Sequence, residues 1–185
     1  MLRKIVSYCF LLSLFAFAEK PFSEISIGLE GGEIIPLDIL EDAIDNSLYG
    51  GLTLQYNYFK SLDGTLDFGY SYMNVITDKA KADGVHQFHG RLGLLWHIPY
   101  VPSVLLGGGF SCIWARLDGG NQNDKFGGTL YDNESEFGIN ARLKLPVFRF
   151  EKYNMGLNFL WEQIWTTPER SNMIWVSVYF ERRIR

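Results

Sequence analysis

Glu136-Phe137-Gly138-Ile139-Asn140-Ala141-Arg142-Leu143-Lys144-Leu145 alternates a polar or small residue with an apolar one through five repeats. A helix would scatter Phe137, Ile139, Ala141, Leu143 and Leu145 around its circumference, whereas a strand gathers them on one face. Seven further segments from Phe22 onward carry the same period of two. Their apolar faces centre on Ile25-Ile27-Leu29, Leu52-Leu54-Tyr56-Tyr58, Leu66-Phe68-Tyr70-Tyr72, Phe88-Leu92-Leu94-Trp96, Leu106-Phe110-Cys112-Trp114, Met155-Leu157-Phe159-Trp161 and Ile174-Val176-Val178-Phe180. Between them fall Glu30, Gln55, Asp67, His89, Arg91, Asn158, Glu162 and Glu181, together with Glu136, Asn140, Arg142 and Lys144 of the opening stretch. The fifth segment is the least regular, because Ile113 interrupts its polar face. Eight such segments predict an antiparallel sheet with one greasy side.

The joins alternate too. Those after strands one, three and five, near 31–46, 74–85 and 118–134, are long and polar, and those after strands two, four and six, near 61–64, 99–102 and 146–152, are short. The join 166–171 is intermediate and falls at the long-loop end. Long loops on one rim and tight turns on the other describe an up-and-down barrel. With Gln55 and Asp67 on the same face, paired residue numbers in strands two and three sum to an even value, and Leu62-Asp63-Gly64 supplies a three-residue turn of matching parity. A hairpin of strands three and four centred near Lys79 sets Asp67 opposite Arg91.

Alternation does not by itself say which face is inside. Gly28, Gly69, Gly93, Gly138 and Gly156 lie on the polar face, and eight strands leave an interior only just wide enough for side chains. The polar face is therefore read as the lumen and the apolar face as lipid-facing. Aromatic residues agree: Tyr58, Phe59, Trp96, Tyr100, Phe148, Tyr153 and Phe180 gather toward the short-turn rim, and Tyr49, Tyr72, Trp114, Trp165 and Trp175 toward the other, with Trp161 a further membrane-interface aromatic. Amphipathic rings favour headgroup depth, and a soluble barrel needs no two belts.

Arg3 and Lys4 precede an apolar run from Ile5 to Ala18 that ends Ala16-Phe17-Ala18, the pattern of a cleavable signal peptide over 1–18, followed by a barrel over 19–185. No later stretch approaches the roughly 18 apolar residues of a membrane helix. The charge of −4 and the absence of a basic cluster except at the extreme ends speak against a nucleic-acid partner. After cleavage Cys112 is the one cysteine, so no internal disulfide is expected.

On strand count, loop alternation and the final strand Ile174-Trp175-Val176-Ser177-Val178-Tyr179-Phe180, the chain resembles the small eight-stranded outer-membrane barrel family of OmpA and OmpX type. The resemblance implies an all-β, eight-stranded antiparallel up-and-down transmembrane β-barrel in a bacterial outer membrane, a monomer in outer-membrane lipid. In transit it would meet periplasmic chaperones and the barrel-assembly machinery. Family members usually finish on a terminal aromatic, whereas here Glu181-Arg182-Arg183-Ile184-Arg185 follows Phe180, and the peptidoglycan-binding domain of some relatives is expected to be absent.

The polar residues predict an ionic network filling the lumen, since an unpaired charge in a narrow, low-dielectric interior is costly. A narrow channel for solutes or ions is the alternative. His86 and His89 lie on opposite faces, and His89 and His97 sit about 26 Å apart at strand rise, so no shared metal and no cofactor is expected. A lipid A-modifying enzyme would need a base and nucleophile at one rim, for which His86 and Ser135 are the candidates, without a motif joining them. Gly107-Gly108-Gly109 sits within a strand and eases its bending, and 118–124 lacks the ligand spacing of a calcium loop. The role expected is structural or interactional, through loops 31–46 and 118–134.

Overall fold

The computed structural model describes residues 24–59, 61–76, 82–99, 101, 103–119, 133–165 and 170–184. The expected signal segment 1–18, Tyr100 and most of the loop 118–134 lie outside the described residues. Eight strands follow in order: β1 Glu24–Leu37, β2 Ser47–Phe59, β3 Leu62–Asn74, β4 Ala82–His97, β5 Leu105–Gly119, β6 Asn133–Arg149, β7 Tyr153–Ile164 and β8 Ser171–Arg183. Each pairs antiparallel with the next, and β8 returns to β1, closing the barrel. Closure leaves no strand edge unpaired, which is the condition for a sheet to sit in hydrocarbon.

The inward and outward faces follow the alternation. Leu54, Phe68 and Leu157 are 42%, 57% and 37% exposed, while their neighbours Gln55, Asp67 and Asn158 are 7%, 2% and 3% exposed. Greasy residues therefore cover the outside and polar ones line the lumen. The expected pairing of Asp67 with Arg91 is present in the β3–β4 ladder.

Two local readings differ, besides the β4–β5 join, which runs over 98–104 and is as long as the β3–β4 join over 75–81. The stretch 31–46 is not all loop: β1 keeps its alternation to Leu37, with Ile34 and Pro36 turned inward, and pairs with β8 as far as Leu37–Asn172. Gly31, Gly32 and Glu33 look polar as a string, but each simply takes its place in the two-residue period. Asp38 then adopts φ 56°, a left-handed conformation that aspartate tolerates better than most residues, and a 3-10 turn spans Asp38–Leu40. The Asn172 amide donates to Asp38 Oδ2 at 2.6 Å, pinning this bend to β8.

The second difference is the turn between β2 and β3. Pairing sums are even from Thr53–Asp67 to Asn57–Asp63, as parity demanded, but a bulge then shifts the ladder to Phe59–Leu62. The bulge absorbs one residue, so the chain reverses between Phe59 and Leu62, and Leu62, Asp63 and Gly64 open β3 instead of forming the turn. Asp63 consequently points into the barrel and is fully buried.

The inward glycines serve the wall more than the width of the lumen. A Cβ at Gly156 would stand 2.0 Å from the carbonyl oxygen of Leu145, and one at Gly138 2.2 Å from that of Gln163. Both carbonyls belong to the adjacent strand, so what glycine permits is the close, bent approach of neighbouring strands.

Candidate functional site

The lumen collects the chemistry of the chain because alternate residues of eight strands converge on one axis only a few side chains wide. Arg91 of β4 reaches across to Glu162 of β7 in a two-pronged pair, Nε to Oε1 at 3.0 Å and a terminal nitrogen to Oε2 at 3.2 Å. Arg142 of β6 pairs with Asp67 of β3. Although Asp67 and Arg91 face each other in the ladder, each takes its ionic partner from the opposite wall. A long guanidinium stem pointing inward spans the lumen more readily than it folds back on its neighbour.

Toward the short-turn end, Lys144 pairs with Glu181 and donates to Gln55 Oε1 at 2.7 Å. Gln55 passes its own amide hydrogen to Asp63 Oδ2 at 2.6 Å, and the same oxygen meets His97 Nε2 at 2.6 Å. The ammonium of Lys144 also lies 4.3 Å from the centre of the Tyr179 ring. Nearer the middle, Asn158 donates to Glu30 Oε2 at 3.0 Å and Asn140 to Ser111 Oγ at 2.9 Å. His89 Nε2 and Ser71 Oγ are 3.1 Å apart. Buried carboxylates are thus Glu30, Asp63, Asp67, Glu162 and Glu181, set against Arg91, Arg142 and Lys144. Arg91, Arg142 and Lys144 each take one of these carboxylates as an ion-pair partner, while Asp63 and Glu30 accept side-chain hydrogen bonds from Gln55 and Asn158, so that each of the buried carboxylates has a partner.

Five residues differ from the reading of the sequence, among them Tyr49 and Phe59, which are each 7% exposed and so stand in no outer belt. Trp175 is not a membrane-interface aromatic: it is 1% exposed, and its ring lies 4.0 Å from the Arg91 guanidinium carbon and edge-on to Tyr49 and His89. It shares parity with Ser177, Tyr179 and Glu181, which face inward, so the period of β8 overrides its resemblance to a belt residue. Glu136 stands at the long-loop mouth, half-buried, apart from the ionic network. Asp63, hidden in a supposed turn, was missed; once the bulge is known, its parity with Asp67 places it inside.

Nor is the lumen polar throughout. Toward the long loops Ile34, Tyr49, Met73, Ile113, Leu160, Ile164, Met173 and Trp175 form a buried apolar layer, on which Leu40 and Ile44 of the β1–β2 connector pack. Ile113, the residue that breaks the polar face of β5, does so because it belongs to this layer.

On the outside, Tyr58, Trp96 and Phe180 stand toward the short-turn rim, and Tyr72, Trp114, Trp161 and Trp165 toward the other. His86 Nδ1 and the Tyr70 hydroxyl are 2.7 Å apart on this outer surface. Ser135 is also outward, but β5 lies between it and His86: His86 pairs with Arg116, and Trp114 with Ser135. Two strand spacings of about 4.8 Å each keep the pair beyond hydrogen-bond reach. Among the described residues no group of His, Cys, Asp and Glu is arranged to hold a metal ion.

The strands beyond Phe180 have a use. Glu181 enters the lumen network, Arg183 Nε pairs with Glu24 Oε2 at 2.9 Å, and the Ile184 amide donates to the Ile25 carbonyl at 2.8 Å. Arg183 and Ile184 thus fasten β8 to β1, and Glu181 ties β8 to β6 across the lumen.

Neither a protein-family model nor a curated protein matches the sequence. Solved structures do. The chain is similar to Neisserial surface protein A (TM-score 0.62, 10% identity), the match covering 85% of this chain and 96% of that one. It is similar to the outer membrane protein OprG from Pseudomonas aeruginosa (TM-score 0.58, 12% identity, 90% and 99% covered). A third likeness is to Ail, the attachment invasion locus protein of Yersinia pestis, solved with the heparin analogue sucrose octasulfate (TM-score 0.51, 14% identity, 88% and 97% covered). The fold is that of the small eight-stranded bacterial outer-membrane barrels.

Proposed function

We propose that this protein is an outer-membrane barrel whose lumen is closed by its own side chains and whose long-loop end supplies a structural or surface-interaction role. The observation that carries the closed lumen is the layer at Arg91, Arg142, Asp67 and Thr65. The hollow these side chains border leaves no room for a water molecule. Two charge pairs from opposite walls occupy the axis there, and the apolar layer above them adds a dry barrier. With the core closed, exposed function falls to the ends. The joins between β1 and β2 and between β5 and β6, residues 38–46 and 120–132, are the longest, and by the general rule for such barrels long loops face outward.

Planar-bilayer recording tests the closed core: the purified chain is expected to give no steady conductance, and sustained single-channel steps would refute it. For the loops, residues 120–132 are replaced by a short Asn-Gly turn. Loss of cell-surface attachment or envelope integrity is expected, and a variant indistinguishable in both respects argues against an interactional role.

A narrow conduction path is a second reading, favoured by cavities of about 120 Å³ and 170 Å³ at the two ends of the barrel. It requires the central ion pairs to part, which the same recordings would reveal as brief openings. A lipid-modifying activity has the weakest support, given the separation of His86 from Ser135, and His86→Ala is expected to leave lipid A composition unchanged.

A further inference from the structure

The mouth at the long-loop end is a cavity of about 170 Å³ with two kinds of wall. Most of it is apolar: Leu40 and Ile44 reach in from the β1–β2 connector, and Ile164 and Met173 form a floor that belongs to the buried apolar layer. The remainder is polar, made of Ser171, Gln87 and two carboxylates. Glu134 and Glu136 of β6, two residues apart and so on the same inward face, both line the cavity, and neither has an ion-pair partner among the described residues. Gln87 of β4 lines it as well. That side chain is only 8% exposed, and its carbonyl oxygen Oε1 is buried without a hydrogen-bond donor.

A buried acceptor left without a donor is costly, and so are two carboxylates placed side by side at the edge of an apolar hollow. One kind of guest removes both costs while covering hydrocarbon: a positively charged N–H donor attached to a short apolar body. Size narrows it further. An apolar cavity of about 150 Å³ accepts a single benzene ring, so this mouth suits one ring or a chain of roughly six carbons.

We propose that this cavity binds a small amphiphilic ammonium compound. Its charged head sits between Glu134 and Glu136 with an N–H directed at Gln87 Oε1, and its hydrocarbon lies against Leu40, Ile44 and Met173. The site needs the folded barrel but not a sealed lumen, so channel recordings that overturned the closed core would leave it standing.

The test is calorimetric titration of the refolded full-length protein in detergent with 2-phenylethylammonium, corrected for heats with protein-free micelles. One-site saturable binding is expected. The neutral counterpart 2-phenylethanol, and the ammonium titrated against the E134Q/E136Q variant, are each expected to bind at least fivefold more weakly. Filling the hollow with Leu40→Trp, on the connector and outside the strands, is expected to weaken binding at least fivefold too. Gel mobility before and after boiling confirms that each variant is folded. Absence of saturable binding, or a difference smaller than fivefold for the alcohol or for E134Q/E136Q, overturns the proposal.

Discussion

Arg91 sits where two demands meet. Its guanidinium satisfies Glu162 with two hydrogen bonds while its flat face lies against Trp175. Arg91→Leu strands a buried carboxylate and is expected to cost roughly 3–5 kcal/mol, whereas Arg91→Leu with Glu162→Leu removes both charges and should recover much of that loss. Urea unfolding of the four proteins in lipid vesicles, read as a double-mutant cycle, measures the coupling. A double variant whose loss equals the sum of the two single losses would mean that the pair contributes nothing. That Arg91, Glu162, Asp67 and Arg142 belong to the polar face was legible from period alone. Their partnership was not, because alternation assigns a face while the cross-lumen partner depends on side-chain reach and on the height at which opposite strands stand. Trp175 teaches the converse. Its residue type suggested the interface, yet the parity it shares with Ser177 and Tyr179 was already in the sequence and is what the fold obeys.

At the level of the strands, a glycine on β7 and one on β4 separate the needs of the wall from those of the lipid face. At Gly156 an added Cβ would lie 2.0 Å from Leu145 O, while at Gly90, facing outward, the nearest atom would be 3.9 Å away. Gly156→Ala is therefore expected to destabilise by about 1–3 kcal/mol, the usual range for forced overpacking, and Gly90→Ala to be neutral or slightly stabilising. Unfolding midpoints of the two variants decide this; equal effects would show that strand curvature does not depend on Gly156. Strand existence and type were readable because period two persists over each segment. Strand ends were less so. The extension of β1 to Leu37 and the bulge at Asn57 and Phe59 depend on pairing with neighbours, and a bulge costs only one residue of phase, too little for a single-strand pattern to announce.

For the whole molecule, a ring of ladders around an ionic core predicts resistance to detergent. Unboiled protein should migrate differently from boiled protein on a gel, and identical mobilities would argue against a closed barrel in detergent. The greasy exterior gives a second expectation. Phe68, more than half exposed on β3, is solvated by hydrocarbon if the barrel spans a bilayer, so Phe68→Arg should cost about 2–4 kcal/mol in vesicles. A substitution without effect would place that face in water. Which face meets lipid was decided at this scale alone, by glycines, aromatic belts and loop lengths taken together; no single strand could have settled it.

Leu29 pairs with Phe180, so the first strand finds one of its two neighbours only in the last. Such a cylinder cannot be completed piecemeal during synthesis. Until β8 leaves the ribosome, β1 has an empty flank, and a chain cut short before β8 would carry two rows of unmet amides into oil. A chain lacking β8 is therefore expected to remain an open ribbon, not to close into a smaller ring.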